Sequence, residues 1–190
     1  PAVTDADLHV PLMSLAGVFA TRIDSIPSQF PYLVPAAASI ERWRYIARPE
    51  VLNVGLVWAG KDTDPLRACP LEALKPLLEL DGVNWVGLQK GRKSSELVSG
   101  SGHRQLCNLG PTLTDFADTA AVIHHLDLVV SVDTAVAHLA GAMGKRVFCL
   151  LRFGADWRWG KEDDRTPWYP SMRLFRQEIA GDWSAPARRM

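Results

Sequence analysis

From residue 52 onward the chain settles into a repeating alternation. Short apolar runs of strand length are each followed by a polar loop and then by apolar residues spaced three or four apart. Residues 52–58 read as a buried strand, and 70–80 as a helix with Pro70 near its first turn. Strands are predicted at 83–88 and 105–109, with a short helix or turn at 94–99 between them. Residues 114–125 are amphipathic, with Phe116, Ala120 and Ile123 on one side. A fourth strand is predicted at 128–132, a helix at 134–143, a fifth strand at 146–151, a sixth at 172–175 and a closing helix at 182–189. The first fifty residues lack this period. Pro11, Pro27, Pro31 and Pro35 break them up, and the pattern predicts an extended arm with one helix at 39–47, capped by Ser39 and ended by Pro49.

Short apolar strands that alternate with helices predict a parallel sheet covered on both faces. The expected fold is α/β, doubly wound and Rossmann-like, with five or six strands. Residues 1–50 are expected to form an arm or linker, and 51–190 the folded domain. Ligands of such sheets bind beyond the carboxyl ends of the strands, so the loops after Trp58, Leu88, Val132 and Leu151 are where function is expected.

Composition narrows the picture mainly by exclusion. Lys plus Arg equals Asp plus Glu at 21 each, which removes any bulk electrostatic reason to expect nucleic acid or an anionic membrane as partner. No apolar run is long enough to span a bilayer. The three cysteines, Cys69, Cys107 and Cys149, form no CxxC pair, so no metal site is expected. Cys107 and Cys149 lie in apolar runs and are expected in the core, and a reducing cytoplasm is the expected setting. The chain begins at Pro1 without a signal-peptide pattern and is expected to be a piece of a longer protein. HExxH, Walker, GxSxG and complete GxGxxG motifs are absent.

Four constellations carry candidate chemistry. The run Ser131-Val-Asp-Thr-Ala-Val-Ala-His138 leads from a strand into a helix N-terminus, whose free N–H groups and partial positive charge suit a phosphate. Thr134 would add a hydroxyl, the small Ala135 lets the ligand approach, and Asp133 would cap the helix or orient a ligand hydroxyl. His138, one turn beyond Thr134, would reach a phosphate oxygen. A plain capped helix with a satisfied histidine is the alternative. The loop after the first strand carries Gly60, Lys61 and Arg67, which would meet diphosphate charge, against the alternative of a solvated loop. Gln89 and Lys90 follow the second strand and would meet a nucleoside; a tight turn is the alternative. Trp157 and Trp159 follow the fifth strand, where they would stack on a sugar or base or else pack the loop onto its own sheet.

The ordered set Val54-Gly-Leu-Val-Trp-Ala-Gly60, Leu88-Gln-Lys-Gly91, Val130 to Lys145, Asp156-Trp-Arg-Trp159, Pro167-Trp-Tyr-Pro170 and Met172 to Gln177 is specific. It resembles the carboxyl-terminal domain of bacterial tetratricopeptide-repeat glycosyltransferases, which is similar to the heptosyltransferase family with its two-domain GT-B fold. The resemblance covers nearly the whole chain. It implies an enzyme that transfers sugar, with inversion and without a metal, from a nucleotide-diphosphate sugar to a protein or glycan acceptor. The donor is substrate, and no cofactor is implied. By position, Asp133, Thr134 and His138 match the phosphate-proximal motif, Arg67 a basic residue after the first strand, and Gln89 and Lys90 the nucleoside-side loop. The catalytic base and acceptor site are expected on a missing amino-terminal domain of which residues 1–50 would be a remnant, so this chain alone is expected to be inactive. Ala135 stands where the family usually has Gly, and Asp62 and Asp64 add negative charge to the first loop. These departures favour the alternative of a degenerate donor domain that serves as a binding or scaffold module. A nucleotide-sugar epimerase or hydrolase would need a catalytic carboxylate for which the chain offers no distinctive candidate. The base, sugar, acceptor and oligomeric state stay open.

Overall fold

The computed structural model describes residues 7–27, 29–96 and 106–190. Its centre is a parallel sheet of six strands: β1 (Leu52–Val57), β2 (Val83–Gly87), β3 (Leu106–Asn108), β4 (Leu128–Val132), β5 (Arg146–Leu151) and β6 (Met172–Arg176). Their order across the sheet is β3-β2-β1-β4-β5-β6. This is the doubly wound arrangement, with its topological switch point between β1 and β4.

The inner strands form because they bury both faces. Along β1, Val54 and Leu56 enter one apolar cluster while Val57 enters the other; along β4, Val130 and Val132 oppose Val129. Three helices, α2 (Ala37–Trp43), α4 (Phe116–His124) and α5 (Ala135–Ala142), cover the face of Val57 and Val129. Two others, α3 (Leu71–Leu78) and α6 (Ser184–Arg188), cover the opposite face through Leu74, Leu78 and Ala187. A single turn, α1 (Leu15–Val18), lies in the arm and buries none of its residues. No described helix is long and apolar enough to cross a membrane.

The arm helix departs from its expected start. It begins at Ala37 behind an extended Ala36, with no side-chain cap, and Ser39 sits inside it. Three consecutive alanines carry the helix nearer to Pro35 than a serine cap would allow. It ends at Trp43 and tightens into a 3₁₀ turn at Arg44–Ile46. Trp43 and Ile46 are buried in the main core. Asn84 Nδ2 donates to the Ile46 carbonyl at 2.9 Å, and the Arg48 N–H donates to Asn53 Oδ1 at 2.9 Å, so the end of this segment is tied to the amino-terminal ends of β1 and β2.

Two further expectations are corrected. Cys107 is exposed, because β3 is an edge strand with a neighbour on one side only. Phe116 is exposed as well, since it stands at the first position of α4, beyond the sheet that Ala120 and Ile123 cover. Gln105, His103 and the last residues of the turn expected at 94–99 lie outside the described residues.

Candidate functional site

At the switch point the loops after β1 and β4 part and leave an open cleft of about 820 Å³. Gly60, Lys61 and Arg67 form its wall on the β1 side. Asp133, Thr134 and Ala135 form the floor where α5 begins. Gln89 and Lys90 come from the loop after β2, and Thr114, just before α4, closes the far end with Phe116 and Thr119 on it. Eight of the nine residues expected to hold a donor thus line one cavity, and His138 is the exception.

The start of α5 leaves backbone donors open. Thr134 is its N-cap residue, with extended backbone at φ −141° and ψ 167°, yet its side chain does not cap the helix. The hydroxyl is instead 3.0 Å from Ser131 Oγ, so the first-turn N–H groups receive no cap from it. Asp133 does not cap the helix either. Its carboxylate meets His138 Nε2 at 3.6 Å and the Arg67 guanidinium at 3.9 Å. Burial pushes the Asp133 pKa up, but His138, the nearby Trp159 indole N–H and Arg67 outweigh it and hold the carboxyl below the ordinary aspartate value.

Arg67 is the pivot of the β1 loop. Nη1 donates to the Asp133 carbonyl at 3.3 Å, and Nη2 lies 3.2 Å from the Asp64 carboxylate. The arginine stem runs so close to Gly60 that a Cβ there would lie 3.2 Å from Arg67 Cδ. Gly60 therefore serves as clearance for the cation. Lys61 is exposed at the rim, and the Lys90 ammonium donates to the Leu113 carbonyl, bridging the β2 loop to the entry of α4.

Three expected ligand groups are already spent. Gln89 is buried; its Oε1 accepts the N–H groups of Trp58 at 3.1 Å and Ala59 at 2.9 Å, and its Nε2 donates to the Lys90 carbonyl. These N–H groups lie past the last ladder position of β1 and need an acceptor. His138 is turned from the cleft: Nδ1 is 3.0 Å from the Tyr169 hydroxyl, and the ring stacks on Trp159 with centroids 5.2 Å apart. Trp159 is 1% exposed, so it offers no stacking face to a sugar or base. The 3₁₀ turn Trp157–Trp159 drives it into the core, and Trp157 stays exposed outside the cleft. This loop packs on its own sheet, with Arg176 Nη2 donating to the Trp159 carbonyl at 2.5 Å. Thr114, Phe116 and Thr119 are the lining residues that sequence reasoning missed. Phe116 was hidden because it fits the apolar stripe of its helix. Among the described residues, no three His, Cys, Asp or Glu side chains gather as a metal site.

Comparison with known proteins gives this cleft its context. Residues 90–180 match the glycosyltransferase family 9 (heptosyltransferase). The chain is similar to the family 9 glycosyltransferases. It is 31% identical over 171 residues to protein FlbA of Caulobacter vibrioides, an alignment that covers 84% of this chain and 28% of FlbA. The chain therefore spans less than a third of that relative. Among solved structures, E. coli ADP-heptose lps heptosyltransferase II superposes with a TM-score of 0.58 at 16% identity, covering 87% of this chain and 54% of the enzyme. A family 9 glycosyl transferase from Veillonella parvula gives 0.60 at 12% identity, over 81% and 44%. E. coli heptosyltransferase WaaC with ADP gives 0.52 at 16% identity, over 85% and 49%. The fold is that of the part of these heptosyltransferases that the chain superposes on, a doubly wound parallel α/β sheet.

Proposed function

We propose that the switch-point cleft binds a nucleotide-diphosphate sugar and that this chain is the donor-binding half of an inverting, metal-independent glycosyltransferase. The convergence of Gly60, Lys61 and Arg67 with the open first turn of α5 carries this reading. In such a transfer the acceptor oxygen forms a bond to the anomeric carbon from the face opposite the diphosphate. The bond from that carbon to the phosphate oxygen breaks, and its electron pair leaves with the nucleoside diphosphate. Lys61, Arg67 and the backbone N–H groups of α5 would receive that charge. The acceptor proton passes to a base, which this reading places on another domain of a longer, tetratricopeptide-containing polypeptide. The short span of FlbA covered by the chain fits a longer polypeptide, and the solved relative with ADP supports a nucleoside diphosphate as the ligand class. Gln89 and Trp159 act here as braces, with His138 positioning Asp133. Phe116 joins Lys90 at the nucleoside end. The family match does not favour a purely scaffolding role.

The test is titration with nucleoside diphosphates and nucleotide sugars, read by tryptophan fluorescence and melting temperature. A saturable shift for one base that Arg67→Ala abolishes is expected. Silence from every nucleotide at millimolar concentration would overturn the reading.

A further inference from the structure

Asp64 stands between two guanidinium groups. One carboxylate oxygen is 3.2 Å from Arg67 Nη2 and the other is 4.0 Å from Arg152 Nη1. Arg67 follows β1 and Arg152 follows β5, the strands on either side of β4, so the two cations straddle Asp133 at the end of β4. A small cavity of about 90 Å³ opens between them, lined by Arg67, Asp133, Arg152, Gly154 and Asp156. All three side chains of the cluster are roughly two-thirds buried, so their charges interact through less water than at an open surface.

The Asp64 carboxylate has little local reason to be there. Asp64 is the N-cap residue of the 3₁₀ turn Pro65–Arg67, yet its side chain does not cap that turn. The turn is held by backbone bonds, from Asp64 N–H to the Lys61 carbonyl at 3.0 Å and from Arg67 N–H to the Asp64 carbonyl at 3.2 Å. The side chain can therefore swing away without unfolding the loop. Arg67 would keep its place, because it also donates to the Asp133 carbonyl. Two oxygens shared between two guanidiniums is the arrangement that a phosphate adopts.

We propose that Arg67 and Arg152 form a two-pronged seat for the sugar-side phosphate of the donor, with the Asp64 carboxylate as an internal occupant that the phosphate displaces. This rests on the reading of the cleft as a nucleotide-diphosphate site. It makes Arg152 a binding residue and turns the acidic first loop into a gate on affinity. Each entering phosphate must replace a tethered carboxylate, so the empty site holds its cations in place and rejects weaker anions.

Calorimetric titration of the wild-type chain, Asp64→Asn and Arg152→Gln tests this with inorganic pyrophosphate, the ADP, UDP, GDP and CDP panel, and the matching monophosphates. Asp64→Asn is expected to bind pyrophosphate and the preferred diphosphate about tenfold more tightly, and Arg152→Gln about tenfold more weakly. Monophosphate affinity should stay unchanged in both, with equal melting temperatures. If the wild type binds a nucleoside diphosphate but Asp64→Asn binds no tighter, or Arg152→Gln no weaker, the seat is overturned and the nucleotide reading stands. If pyrophosphate follows the expected order while no nucleotide binds, the seat stands and the nucleotide reading falls. Absence of any binding overturns both.

Discussion

Gln89 is a buried polar side chain on the wall of an open cleft. Its carbonyl takes the N–H groups of Trp58 and Ala59 where β1 has run out of partners. Gln89→Leu keeps the volume and removes the acceptor, leaving two donors unpaired. A loss of about 2 kcal/mol is expected, seen as a lower melting temperature. Nucleotide affinity should fall as well, since Gly60 and Lys61 follow directly on the freed backbone. Gln89→Glu keeps the acceptor oxygen but sets its second oxygen against the Lys90 carbonyl, so it should recover only part of the stability. An unchanged melting temperature in Gln89→Leu would mean that the loop is held by other contacts. The same residue shows where the sequence stops informing. Its position after a strand pointed to the cleft, which was right. Which partner its amide takes depends on where β1 ends in space, and that is a tertiary fact. His138 and Trp159 repeat the lesson, because they stack on each other, and Tyr169 claims His138, in each case across more than twenty residues of chain.

At the scale of elements, α5 is held to its strands by small residues and carries the site at its first turn. Gly141 is buried, and a Cβ there would lie 2.6 Å from the Tyr169 ring. Tyr169 in turn bonds His138, which contacts Asp133. Gly141→Ala is therefore expected to cost about 1–3 kcal/mol by overpacking. It should also weaken nucleotide binding through displacement of Tyr169, His138 and Asp133 in sequence. A combined Gly141→Ala, Tyr169→Leu variant relieves the clash and should regain stability while it keeps the binding defect. Retained affinity in both variants would rule out this line of support. Elements differ in how plainly the sequence announced them. β4 and β5 are central, buried on both faces, and their boundaries follow directly from the apolar runs. The arm helix α2 depends on what lies beside it, and both its ends moved from the pattern-based expectation, while the edge strand β3 stops one residue early at Asn108.

The molecule as a whole is tied from its arm to its cleft through one buried carboxylate. Asp118 on α4 accepts the Thr114 hydroxyl at 2.5 Å and the Thr114 N–H at 2.9 Å at the cleft's edge. The same carboxylate accepts Trp43 Nε1 at 3.2 Å and pairs with Arg42, both on α2. The Thr114 hydroxyl and N–H bonds, helped by Trp43 and Arg42 and opposed by burial, lower its pKa from the ordinary 3.8 to about 2. A lowered carboxyl pKa stabilises the fold above the unfolded value and loses that contribution as pH falls through the folded one. The chain should therefore lose melting temperature between about pH 4 and about pH 2. Asp118→Asn should be less stable than the wild type at neutral pH, and the gap between them should narrow across that same window. Because Thr114 lines the cleft while Trp43 belongs to the arm, the variant should also loosen Phe116 and lower nucleotide affinity at neutral pH. Melting curves of the two proteins across pH 2–7, with affinity at neutral pH, check each part. A gap that stays constant down to pH 2 would show that Asp118 is not the group linking acid to the arm.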